Sequence, residues 1–139
     1  MNAFIGPCGG DLWPTIDVEE IKTPNYPFGY PSNAHCIWRI HGYPGVYVTV
    51  RIANATLESN YDFLYISQNG TGNATSSNTT SLTGDINEEF FFDLGEGDII
   101  IEFQSDISVE KKGARITYQG SKDYGKDEKI SKGELHYIF

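Results

Sequence analysis

Apolar and polar residues alternate with a period of two through much of this chain. "VYVTVRI" (46–52) places Val46, Val48, Val50 and Ile52 on one face and Tyr47, Thr49 and Arg51 on the other. "CIWRI" (36–40) and "ARITYQ" (114–119) alternate in the same way. "YDFLYI" (61–66) and "EFFFDL" (89–94) are short and aromatic, and "DIIIEF" (98–103) is a mostly apolar run next to Gly95 and Gly97. β-Branched and aromatic residues dominate these runs and turn residues separate them, which is the signature of short strands. No window of useful length carries apolar residues at helical spacing. The pattern predicts an all-β protein, an antiparallel sandwich or barrel. "GEGD" (95–98) reads as a hairpin turn.

"KTPNYPFGYPSNAHCIW" (22–38) interrupts the alternation. Pro24, Pro27 and Pro31 fix φ and push their preceding residues toward extended conformations, so no helix passes through. The segment is an ordered extended crossing or a set of turns. Tyr26, Phe28 and Tyr30 are too apolar for a free linker and are expected to lie on the core. The longest loop is read as 67–87, a mobile surface excursion. Residues 121–139 are charged and without period; they read as a tail, a linker or a docked end segment.

Composition narrows the setting. A length of 139 residues suits one domain with a short extension, and 39% hydrophobic with 14% aromatic residues is enough for a core. A net charge of −9 argues against nucleic acid or an anionic membrane surface and fits cations or basic partners. No apolar run is long enough to span a membrane. Residues 1–7 lack the apolar stretch of a signal peptide and read as a leader or remnant.

Sequons Asn54-Ala-Thr, Asn69-Gly-Thr, Asn73-Ala-Thr and Asn78-Thr-Thr are present, where nine Asn and twenty Ser or Thr in this length predict roughly one by chance. Asn54, Asn69, Asn73 and Asn78 are thus glycosylation candidates, three of them in one Ser/Thr/Asn-rich loop. An oxidising, extracellular setting follows, with a bridge between Cys8 and Cys36. Closing a loop of that length contributes about 3–4 kcal/mol in the chain-entropy account.

Catalytic chemistry finds no foothold. His35, His41 and His136 have no ligand spacing, and there is no HExxH, GxSxG, phosphate-binding loop or CxxC. His41 reads as a surface residue at a strand end. The expectation is a protein that is not an enzyme.

The ordered motifs resemble the CUB domain family. They run Cys8-Gly9-Gly10, Thr23-Pro24-Asn25-Tyr26-Pro27, Tyr30-Pro31, Cys36-Ile37-Trp38, Tyr61-Asp62, the strand motif from Gly97 to Asp106, and finally Gly113 and Tyr118. The resemblance covers about residues 8–119 and implies a two-sheet, jelly-roll-like β-sandwich, with a domain at 8–120. It implies that the proline–tyrosine segment is an extended crossing locked by the disulfide and that Trp38 packs beside that disulfide. Many members carry a second bridge; Ser59 and Thr83-Gly84 stand at its positions here, a one-disulfide variant with more freedom at the end bearing loop 67–87. Ala114 replaces the aromatic usual after the closing Gly.

The resemblance also implies a calcium ion at one end of the sandwich, held by Glu58, Asp62 and Asp106 with the Ser108 backbone as a further ligand. Calcium takes six to eight oxygens, and three carboxylates without a cation repel and raise one another's pKa. The spacing departs from the family. Glu58 lies four residues before Asp62 instead of eight; counting back eight reaches the neutral Asn54, and Val109 stands where the family has Asn. Either Asn54 holds the glutamate position and the site is lost, or a shortened loop brings Glu58 in. The family implies a non-catalytic extracellular recognition or assembly module whose acidic end captures a Lys or Arg of a protein partner. The rival is carbohydrate binding, with Phe28 or Tyr43 stacking on sugars; a third reading is an accessory domain of a secreted protease or receptor.

Overall fold

The computed structural model describes residues 8–69, 79–107 and 109–122. Within them run β1 (Gly10–Leu12), β2 (Glu19–Lys22), β3 (His35–Ile40), β4 (Val46–Thr56), β5 (Phe63–Asn69), β6 (Thr80–Leu82), β7 (Asp85–Asp93), β8 (Asp98–Gln104) and β9 (Arg115–Lys122). They form a five-stranded sheet, β1-β3-β8-β5-β6, and a four-stranded sheet, β2-β9-β4-β7. Only β1 and β3 pair in parallel; the other neighbours are antiparallel.

The period-two residues face each other across the sandwich. Val46, Val48, Val50 and Ile52 of β4 are fully buried, as are Leu64 and Ile66 of β5, Ile99, Ile101 and Phe103 of β8, and Ile116 of β9. Ile100 and Glu102 alternate with the buried residues of β8 on the outer face, so the apolar run 98–103 is a half-buried strand. Cys36 and Trp38 are buried on one face of β3, and Cys36 is bonded to Cys8, as expected.

Several details differ from the sequence reading. The proline segment crosses from β2 of one sheet to β3 of the other as a set of turns, one of the two forms read from its prolines, and not as the extended crossing that the resemblance implied. Of its aromatics only Tyr30 is buried; Tyr26 is half-buried and Phe28 exposed, because the turn at 24–28 lifts it off the core. "GEGD" makes no hairpin: β7 and β8 lie in different sheets, and a 3-10 turn at Leu94–Glu96 carries the chain across, capped by the Asp93 side chain accepting from the Gly95 N–H. The long loop is shorter than 67–87, since β5 continues to Asn69 and β6 starts at Thr80. β9 extends through Lys122, where Ser121 and Lys122 pair with Tyr47 and Val46. His41 does sit at a strand end, just past β3, and is partly exposed, but it also stacks on Trp13 with centroids 4.5 Å apart and bonds Asp11 at 3.0 Å. Residues 123–139, with His136, lie outside the described residues, as do Asn73 and Asn78.

β3 ends and β8 begins at one end of the sandwich. There Asp98 accepts from the Gly42 N–H at 2.6 Å and from Arg39 Nη1 at 2.7 Å. β5 ends there too, with Asn69 paired to Asp98. The Ser59 and Thr83 positions of the missing bridge are at the opposite end, before β5 begins and after β6 ends.

Candidate metal centre

The opposite end is built by the turn after β4, the start of β5, the β6–β7 turn, the end of β8 and Tyr30. β4 carries an irregularity between Ile52 and Ala55. Asn54 sits in it at φ 57°, its N–H donating to the Asn87 side chain at 2.9 Å. The strand thus runs on to Thr56, and the turn from 57 to 62 is left short. In that turn the N–H groups of Tyr61 and Asp62 donate to the Glu58 carbonyl at 3.2 and 3.0 Å. This tight closure brings the Glu58 side chain to Asp62, and Asn54 is excluded from the position.

Glu58, Asp62 and Asp106 each place a carboxylate oxygen within 4.8 Å of the others. Asp62 is completely buried. Its Oδ1 accepts from the Asp106 N–H at 2.8 Å and its Oδ2 from the Tyr30 hydroxyl at 2.5 Å. The same Tyr30 oxygen accepts from the Glu58 N–H at 3.0 Å. Tyr30 is itself 1% exposed and packs edge-on against Phe103, with centroids 5.0 Å apart. The sequence marked it as core; a buried tyrosine hydroxyl seeks a polar partner, and that is the signal that ties it to the acids. Burial and the neighbouring Asp62 carboxylate both hold the Tyr30 hydroxyl well above its usual pKa, so it stays a donor.

Thr83 is the second residue sequence reasoning did not assign. Its hydroxyl reaches the carbonyls of Asp62 at 2.6 Å and Glu58 at 3.2 Å and accepts from the Asn60 N–H at 3.0 Å. A Cβ built on Gly84 would stand 3.8 Å from the Ser59 Cβ. The two segments therefore stay in contact where many family members have a bridge, and hydrogen bonds through Thr83 close the turn.

The electrostatics are those of acids short of positive charge. Burial, then the Asp106 and Asp62 carboxylates, push the Glu58 pKa up, with Lys111 opposing. Burial also raises Asp62 despite the two donors it accepts from. Glu58 Oε1 is buried with no hydrogen-bond partner. A buried, unpartnered carboxylate oxygen on a residue whose carboxylate gathers with two more suits a hard cation, so the residues present fit calcium. Ser108, the further ligand expected from sequence, lies outside the described residues. Val109, where the family has Asn, adopts φ 56°, a region that suits Asn and strains a β-branched residue. Around the acids, Tyr61, Ile107 and Val109 are at least half exposed.

The sugar-stacking candidates do not form one platform. Tyr43 sits beside Leu94 at the Asp98 end, bonded through its N–H to the Leu94 carbonyl. Phe28 lies in the turn next to Tyr30, at the acidic end.

The CUB domain family model matches residues 8–118. Cubilin of Sus scrofa is 37% identical over 70 residues, which is 48% of this chain and 2% of that protein. The mouse complement C1s-1 subcomponent is 29% identical over 125 residues, 81% of this chain and 17% of that protein. The chain thus spans only a small part of these curated relatives. Among solved structures, the MASP-1 CUB2 domain bound to Ca2+ superposes with a TM-score of 0.64 at 25% identity, covering 81% of this chain and 99% of that one. The full extracellular region of zebrafish Gpr126/Adgrg6 gives 0.69 at 23% identity, covering 85% of this chain and 15% of that one.

Proposed function

Since the chain belongs to the CUB domain family, a family of extracellular interaction modules, we propose that it is a recognition domain whose acidic end binds calcium and, through it, a basic side chain of a protein partner. The observation that carries this reading is the gathering of the Glu58, Asp62 and Asp106 carboxylates, with Glu58 Oε1 buried and without a hydrogen-bond partner. The Ca2+-bound MASP-1 relative supports it.

Asp62 is the anchor. Its two oxygens are oriented by Tyr30 and by the Asp106 N–H, and the Glu58 and Asp106 carboxylates gather beside it. Bound calcium supplies the positive charge that lets all three acids stay ionised side by side. Asp106, half-buried at the end of β8, then offers its outer edge to a lysine or arginine. Tyr61, Ile107 and Val109 give the aliphatic stem of such a side chain an apolar rim.

Calcium titrated into the apo protein tests the first step by thermal shift. A ligand that binds only the folded state raises Tm by mass action. The rise is expected in the parent and absent in Asp62→Ala. No rise up to millimolar calcium would end the reading. For the second step, a panel of Lys- and Arg-bearing peptides is bound in calcium and in chelator. Binding is expected in calcium alone, and to weaken in Asp106→Ala while the sandwich stays folded.

A further inference from the structure

The outer face of the five-stranded sheet carries a second cluster, remote in chemistry from the acidic end. Registered pairs set it out: Tyr65 opposite Glu102, Ser67 opposite Ile100, Phe63 opposite Gln104, and Gln104 in turn opposite His35. These side chains surround an open cavity of about 400 Å³ lined by Tyr65, Ser67, Thr79, Ile100, Glu102 and Gln104. That volume lies within the range of small-ligand sites, about 300–1,000 Å³.

The walls are ordered. Phe63 stacks on Tyr65 with centroids 5.7 Å apart. Glu102 Oε2 is held by His35 Nε2 at 2.5 Å and by Gln104 Nε2 at 3.3 Å. A carboxylate has about four acceptor positions and an amide offers both donors and acceptors, so the group keeps capacity for a ligand. Tyr65, Ser67, Ile100, Glu102 and Gln104 stand on paired strands instead of loops, so little ordering of these walls is needed on binding.

This combination selects a ligand class. Among the described residues no Lys or Arg lines the cavity, so an anion finds no counter-charge there. One aromatic wall asks for an apolar face, and a fixed carboxylate, an amide and two hydroxyls ask for several neutral hydroxyl or amide groups along one edge. A sugar ring has both, C–H groups on its faces and hydroxyls around its rim. We propose that this cavity is a binding site for a neutral pyranose, with Tyr65 as the stacking wall and Glu102 and Gln104 as the hydrogen-bonding edge.

Two sources can supply such a ring. One is a glycan on another molecule. The other is an N-linked glycan of this chain, because the sequon Asn78-Thr79-Thr80 includes Thr79, itself a wall of the cavity.

The test uses the full chain from a glycosylating host, before and after enzymatic removal of its N-glycans. Methyl glycosides of N-acetylglucosamine, glucose, galactose and mannose are titrated while backbone amide signals are followed by NMR. In the glycan-free protein, at least one probe is expected to give saturable shifts at Tyr65 and Glu102. Its affinity should fall about tenfold or more in Tyr65→Ala. Glu102→Gln, which keeps the size of the side chain, should also weaken it, and guards against a Tyr65 variant that folds poorly. If none of the probes shifts these amides up to its solubility limit, or if both variants bind as the parent does, the proposal is wrong. Given binding, the source follows from the glycosylated protein. Equal affinity there means an outside glycan; binding only after glycan removal means the chain's own glycan occupies the cavity. Running the titrations in calcium and in chelator keeps this outcome independent of the acidic end.

Discussion

Tyr30→Phe removes one oxygen and nothing else, and it tests whether the acidic end is a built site or a chance gathering of acids. The hydroxyl donates to Asp62 at 2.5 Å and accepts from the Glu58 N–H at 3.0 Å. Its loss takes a charge-assisted bond from a fully buried carboxylate and leaves a backbone N–H without its acceptor. A hydrogen bond to a charged group contributes about 1.5–3 kcal/mol, and an unsatisfied buried group costs about 1–3 kcal/mol. One hydroxyl serves both, and its own burial cost disappears with it, so the net destabilisation is about 3 kcal/mol. For a domain of this size that lowers Tm by roughly 10–15 °C. Urea unfolding at pH 7 in chelator gives the free energy directly, with the m-value expected to stay unchanged. The Tyr30 bond favours the ionised form of Asp62. The deficit should therefore be largest at neutral pH and shrink toward pH 4 as Asp62 takes up a proton. A variant within about 0.5 kcal/mol of the parent at pH 7, the range of surface substitutions, would show that Tyr30 does not organise the site. The reasoning behind Asp62 as the anchor would then fall.

Other consequences can be measured on the same protein. Glu58 and Asp62 both have pKa values raised by folding, chiefly through burial. The stability they contribute is present below their unfolded pKa values and is lost as pH rises through the folded ones. Without calcium, Tm should therefore climb as pH is lowered from 7 toward 5, and saturating calcium should abolish that climb, as followed by differential scanning calorimetry. Thr83→Val keeps the shape but removes the closure of the 57–62 turn; it should cost about 1–2 kcal/mol and weaken calcium binding, whereas Thr83→Ser should restore much of both. Gly113→Ala should be severe. Gly113 has φ +97° and a Cβ there would lie 2.3 Å from Thr23 Oγ1, the atom that accepts from the Ala114 N–H. The loss should be about 3 kcal/mol or more, visible as a lowered urea midpoint.

The strands that the sequence made legible are those with their own reason to be buried. Alternation in 46–52 alone places four side chains in the core. β1, β2 and β6 were not legible, because "GDL", "EEIK" and "TSL" have no apolar alternation; they are strands because β3, β9 and β5 offer them a ladder. Linear distance misled at "GEGD", where strands close in sequence lie in different sheets. At the acidic end the residue types were readable but their choice was not. Glu58 and Asn54 were separated by the irregularity at 53–54, a backbone event that residue spacing cannot report. Tyr30 was read only as core and Thr83 only as the lost-bridge position, because their contribution to the acids lies in single oxygens, and side-chain class says little about where one hydroxyl points.

The Thr83 closure has a consequence for how the chain is made. A domain with four cysteines must choose among several pairings as it oxidises, and wrong ones have to be reshuffled. With Cys8 and Cys36 alone, this chain has a single intramolecular pairing available. The end that gathers the acids is shaped by reversible contacts instead, so no disulfide has to form there. Within these residues a single covalent bond has to form correctly, and the acidic end takes its shape without a second one.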